Sequence, residues 1–298
     1  MSHDRIFRTL AIALFLFLSA GPTSASARKS AAPAAPPQIV ASFSVLGDMA
    51  RQIGGEYIEV HVLAGPDIDA QSYAPAHNDT KTVSRADLVI ANGLGYDAWM
   101  DKLVKESGTE APIIVASRGV KPRTTEDGAT SPYAWMAPAN GKMYASNIAE
   151  ALEELAHKNA APEQAQAIRL RATRYLEEID DAHSNFHKAL VDIPVSKRFI
   201  ITGRDAYTYL AASCDLTAMP YAAPEAQTTI KTQGIRHIFL DSASEPRPVM
   251  LLAANTGARL GGTLYAVLSP PDGPAPTYLA LLGYNASKIT KAMAENGR

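Results

Sequence analysis

From Pro162 to Leu190 the chain contains no glycine and no further proline, and the next proline is Pro194. The stretch is rich in Ala, Glu, Arg and Gln. Ile168, Tyr175, Leu176, Ile179, Phe186 and Leu190 recur at helical spacing and leave one apolar face. The pattern predicts a helix over 162–190, about 43 Å long. A small domain does not need a helix of that length, so it reads as a rigid strut between two lobes.

On both sides of the strut, strand and helix signals alternate. Before it, 38–43, 58–63, 87–91 and 112–116 read as strands and 45–54, 79–86 and 99–106 as helices. After it, 199–202, 238–240 and 262–265 restart the strand series, with helices between and after them. This is the signature of parallel α/β layers. The expected fold is α/β, with two lobes built on parallel sheets and joined by one long backbone helix. The expected boundaries are an N-terminal lobe over 38–160, the connecting helix over 161–193 and a C-terminal lobe over 194–298.

Residues 1–27 read as a cleavable export signal, with Arg5 and Arg8 ahead of an apolar run at Leu10–Leu18 and a small-residue site at Ala25-Ser26-Ala27. The run is too short to span a bilayer. No Cys follows it, so the expectation is a periplasmic protein without a lipid or membrane anchor. Residues 28–37 read as a flexible lead-in. Without Arg5, Arg8 and Asp4, the 28 basic and 30 acidic residues become 26 and 29, a net charge of −3. Such a balance offers no basic surface for nucleic acid. The single Cys214 can form no internal disulfide and reads as a small core residue.

Several words carry a resemblance: Asn92-Gly-Leu-Gly-Tyr-Asp-Ala-Trp99, Ala137-Pro-Ala-Asn-Gly141 and Ser269-Pro-Pro-Asp-Gly-Pro-Ala-Pro-Thr-Tyr278. In that order the chain resembles the zinc- and manganese-type solute-binding proteins of ABC importers, from Ile39 to the C-terminal helix. The resemblance implies a ligand cleft between the lobes and a long helix that limits hinge motion. It also implies metal ligands at four positions, normally His, His, His or Glu, and an Asp beyond the Gly-Gly-Thr-Leu-Tyr word. Those positions hold Gln71, Tyr133, Arg204 and, after Gly261–Tyr265, the run Ala266-Val267-Leu268. The segment 220–234 is compressed relative to the family, which implies a reshaped cleft wall.

An amide, a phenol, a guanidinium and an aliphatic group do not make a zinc site, which takes thiolate, imidazole or carboxylate. Arg204 keeps its proton in any protein. Its charge about 4 Å from a dication costs on the order of 8 kcal/mol at an effective dielectric of 20. The family's metal geometry is therefore rejected, and no metal site and no cofactor are expected. His183 and His187, four apart on the strut, have a spacing that can place two imidazoles on one metal, but their position beside Ile179 and Phe186 is explained by packing. His77, six residues beyond Gln71, reads as a solvated helix-start residue.

The substituted positions suggest a hydrogen-bonding, cationic pocket. Arg204 offers a planar fork for a carboxylate or phosphate, Gln71 donates and accepts, and Tyr73, Tyr133 and Trp135 offer rings for stacking. The expected ligand is a small anionic solute or a metal chelate, handed to an ABC permease by a monomeric binding protein. The alternatives are a displaced metal site, or internal pairing of Arg204 with Asp205 or, better placed, Asp241. That pairing would cross-link the lobes and leave a non-binding accessory protein. No nucleophile, base and phosphate-loop combination points to an enzyme.

Overall fold

The computed structural model describes residues 35–125 and 128–296. The expected export signal and most of the lead-in lie outside the described residues. The N-terminal lobe runs β1 (Gln38–Phe43), α1 (Ser44–Gly54), β2 (Glu59–Ala64), α2 (His77–Val83), β3 (Leu88–Ala91), α3 (Trp99–Ser107) and β4 (Ile113–Val115). All four strands pair in parallel in the order β2-β1-β3-β4. In β1, which is flanked on both sides, Ile39, Val40, Ala41 and Phe43 are fully buried, which is why it reads as an unbroken apolar run. By contrast β4 closes one edge and leaves Ile113 and Val115 about half exposed. The reversal of strand order falls between β1 and β3, and such sheets place ligands beyond the carboxyl ends of their strands.

The strut is α5 (Pro162–Leu190), the span that the sequence pattern predicts. It does not stand alone. A preceding helix, α4 (Pro138–Lys158), lies along it, and Glu153 pairs with Arg169 while Lys142 pairs with Asp180. Partners that converge in this way require the two helices to run antiparallel. The sequence reading contains no helix at 138–158, because Gly141, Asn140 and several small residues dilute its apolar stripe. Gly141 is required there: a Cβ at this position would lie 1.9 Å from the Tyr278 hydroxyl, which reaches past it to the Trp135 carbonyl at 2.6 Å.

The C-terminal lobe runs β5 (Phe199–Thr202), α6 (Thr208–Ser213), β6 (Thr217–Pro220), α7 (Ala226–Gln233), β7 (His237–Asp241), α8 (Pro246–Thr256), β8 (Arg259–Leu264) and α9 (Tyr278–Asn296). β5 pairs in parallel with β6, and β7 with β8. The short strand β6, not foreseen from sequence, is recruited by β5 through the register Ile200 to Ala218 and Ile201 to Met219. One continuous core crosses both lobes through the strut, from Ile39 and Phe43 through Trp135, Tyr144, Ile179 and Phe186 to Phe239, Leu264 and Leu281. Prising the lobes apart would expose part of that core to water.

Candidate functional site

Arg204 sits two residues beyond β5, where Gly203 lets the loop approach β7. A Cβ on Gly203 would lie 2.7 Å from Ser244 Cβ. The Thr202 hydroxyl donates to the Arg204 carbonyl at 2.6 Å and fixes the turn. All three types of guanidinium nitrogen are engaged. Nε and Nη2 donate to Asp241 Oδ1 at 3.0 and 2.9 Å, while Nη1 donates to Tyr133 Oη at 2.9 Å and to Asp69 Oδ2. The Tyr133 hydroxyl in turn donates to Gln71 Oε1 at 2.6 Å, and the Arg204 guanidinium carbon lies 5.6 Å from the centre of the Tyr133 ring.

This network crosses between the lobes. Asp69 and Gln71 ride on the loop after β2, whereas Arg204 follows β5 and Asp241 ends β7. The side chains of Arg204 and Asp69 are 17% and 16% exposed, and that of Asp241 is fully buried. One guanidinium thus faces two carboxylates, so the cluster as a whole is not cationic. Burial alone would lower the pKa of Arg204, but Asp241, Tyr133 and Asp69 outweigh it and hold the group above its ordinary value. Burial raises the pKa of Tyr133 despite the opposing pull of Arg204, so the phenol stays protonated at neutral pH and is a poor metal ligand.

The loop carrying Asp69 and Gln71 is held by the word Asn92–Trp99. The Trp99 indole N–H donates to the Ala70 carbonyl at 2.7 Å, and Tyr96 packs edge-on to Tyr133. Asp97 secures that word itself by accepting the backbone N–H groups of Asn92 and Gly93 at 2.6 and 3.1 Å. The word Ser269–Tyr278 is tied to the same lobe: the Tyr278 N–H donates to Asp48 at 2.8 Å, and just before the word the Leu268 carbonyl accepts from the Asp67 N–H at 2.8 Å. Both words build the frame of the cleft and supply none of the Arg204 network.

Of the expected pocket residues, Gln71, Tyr133 and Arg204 come together and two do not. Trp135 is fully buried among Phe43, Tyr96 and Tyr133, and its indole N–H donates to the Ala266 carbonyl at 2.8 Å, so its ring has no face for a ligand. Tyr73 turns away to pack on Trp99, and its hydroxyl donates to Asp79 at 2.9 Å. Burial and the Asp79 carboxylate push that phenol up to about 12. Asp205 is not the carboxylate that holds Arg204; it accepts from the Thr208 hydroxyl. Asp69 is the partner of Arg204 that the sequence pattern does not single out. Beside the network opens a cavity of about 720 Å³, whose lining includes Asp69, Gln71, Tyr133, Arg204, Pro220 and Ala222–Pro224.

Away from the cleft, His183 and His187 stack edge-on on α5 with ring centres 4.4 Å apart, and Cys214 joins them from the end of α6.

Residues 39–292 match the profile of the ZnuA family, described as the periplasmic component A of a zinc-uptake complex. The iron-binding protein YfeA of Yersinia pestis is 28% identical over 275 residues, covering 87% of this chain and 86% of that protein. The manganese ABC transporter substrate-binding lipoprotein PsaA of Streptococcus anginosus is 25% identical over 307 residues, covering 95% and 98%. Among solved structures, the Mn-bound periplasmic metal binding protein of Candidatus Liberibacter asiaticus superposes with a TM-score of 0.79 at 28% identity, over 86% of this chain and 99% of that one.

Proposed function

We propose a transport role on one premise: the chain belongs to the ZnuA family, the periplasmic component A of zinc-uptake complexes. It is a protein of the metal ABC transporter substrate-binding type, a class that works with a permease and an ATPase, and it is not an enzyme. Within that role we read Arg204 as a built-in replacement for the bound cation. The observation that carries this reading is the chain of charge from Asp69 through Arg204 to Asp241, which ties one lobe to the other. A metal ion entering the cleft would have to displace the Arg204 guanidinium, which already occupies both carboxylates of the cluster. The protein then presents closed lobes to its permease without cargo in the cleft, as an accessory component of a metal-uptake system.

A second reading is favoured by the 720 Å³ cavity, which has Arg204 and Gln71 on its wall. There an anionic organic solute, or a negatively charged metal chelate, would take the place of Asp69 on Nη1 of Arg204. Native mass spectrometry of the protein purified from its own periplasm separates the two. A bare polypeptide mass supports the internal latch. An organic mass that disappears in Arg204→Ala overturns the latch and establishes the solute pocket.

A further inference from the structure

We propose that His183, His187 and Cys214 form a site for a thiophilic or borderline metal ion, zinc being the type case, with one coordination position left open. The site is separate from the cleft, and the proposal is independent of what the cleft holds.

The three ligand atoms lie within 4.8 Å of one another, and Cys214 Sγ is 3.8 Å from His187 Nε2. Around a tetrahedral zinc, Zn–N bonds near 2.0 Å and Zn–S bonds near 2.3 Å set ligand atoms about 3.3–3.7 Å apart. Side-chain shifts of about 1 Å therefore close the shell. The backbone is already placed for it. His183 and His187 are one turn apart on the long, doubly supported strut, so both imidazoles project from the same face. Cys214 is the residue that ends α6, and it is held there by its N–H bond to the Ala211 carbonyl and by a left-handed turn at Asp215, φ +52°.

The donor set is chemically apt. Two imidazoles and a thiolate select zinc or cuprous copper over calcium or magnesium, which require oxygen ligands. Nδ1 of His183 is buried without a hydrogen-bond partner, an unusual state for an imidazole nitrogen and one that a metal bonded at Nδ1 would satisfy. The Cys214 thiol has only weak contacts, to His187 and to Ser213 Oγ at 3.5 Å. The partial exposure of both histidines gives an ion access from solvent, while Cys214 is 1% exposed and anchors the buried side. On binding, the Cys214 S–H bond breaks, its proton leaves to solvent and the thiolate sulfur bonds the metal, which keeps its charge. The ion would pin α6 of the C-terminal lobe to the strut.

The test uses the purified protein stripped with a chelator and reconstituted with Zn²⁺ or Co²⁺ alone. The expected results are one Zn²⁺ per chain and, with Co²⁺, a near-ultraviolet thiolate-to-metal charge-transfer band. Cys214→Ser should abolish the band, and His183→Gln should weaken Zn²⁺ binding about 100-fold or more, at the upper end of losses seen when metal-site partners are removed. Circular dichroism confirms that each variant folds. His183 is partly exposed, so its variant remains informative if Cys214→Ser fails to fold. Absence of the charge-transfer band in the wild type, or Zn²⁺ affinity unchanged in His183→Gln, overturns the proposal.

Discussion

The cleft and the strut cluster invert each other. In the cleft, where relatives of this chain carry metal-binding names, every arm of Arg204 is engaged by protein, with two carboxylates and a phenol around it, although Asp241 Oδ2 is left without a partner. On the strut, where the sequence pattern argues for packing, two imidazoles and a thiol converge, and one imidazole nitrogen has no partner. A polar group already satisfied inside a protein has little left for a ligand, whereas converging donors with unmet valence do. Position within a family therefore says less about binding here than the state of each donor.

The largest effect should come from removing Arg204. Arg204→Ala leaves the buried Asp241 uncompensated and should cost about 3–5 kcal/mol in urea denaturation. Adding Asp241→Asn to that variant should recover much of the loss. A cost near zero would mean that the latch contributes nothing and would erase the contrast between the two regions.

Metal addition probes the other side of the contrast. Zn²⁺ at about 100 times its dissociation constant should stabilise the wild type by about 2.7 kcal/mol through mass action. Cys214→Ser should show no such gain in the same melting series. An equal gain in both proteins would place the metal elsewhere.

Trp135→Phe comes next, at about 1–3 kcal/mol, because it strands the buried Ala266 carbonyl. A solute-stacking tryptophan would instead leave stability unchanged and lower affinity. The smallest effect concerns pH. Burial raises the pKa of Asp97 above its ordinary value, although the N–H groups of Asn92 and Gly93 oppose it. A raised folded pKa means that this group's contribution to stability is complete below the unfolded value and is lost as pH rises through the folded one. Measured against Asp97→Asn, the wild type should therefore fare better at pH 3 than at pH 7. The opposite trend would show that the backbone hydrogen bonds outweigh burial.

Much of the frame was legible in the chain. The strands 38–43 and 199–202 and the helix 162–190 emerge from apolar runs and spacing, because parallel strands buried on both faces carry an unbroken signal. The substitutions at Gln71, Tyr133 and Arg204 were also legible, as was Asp241 as a partner for Arg204. What escaped depends on long-range geometry. Asp69 pairs across a separation of 135 residues, and nothing in Gly65–Tyr73 distinguishes it from Asp67. Trp135 looks like a pocket ring until its neighbours Phe43 and Tyr96 close over it. Cys214 lies 27 residues from His187, too far for any spacing rule to join a core thiol to a histidine pair.

The most direct measurement is an anomalous difference map from a crystal of the protein soaked in Zn²⁺. The account predicts a peak bounded by His183, His187 and Cys214, and none among Gln71, Tyr133 and Arg204. A peak in the cleft, with Arg204 swung away from Asp69 and Asp241, would contradict it.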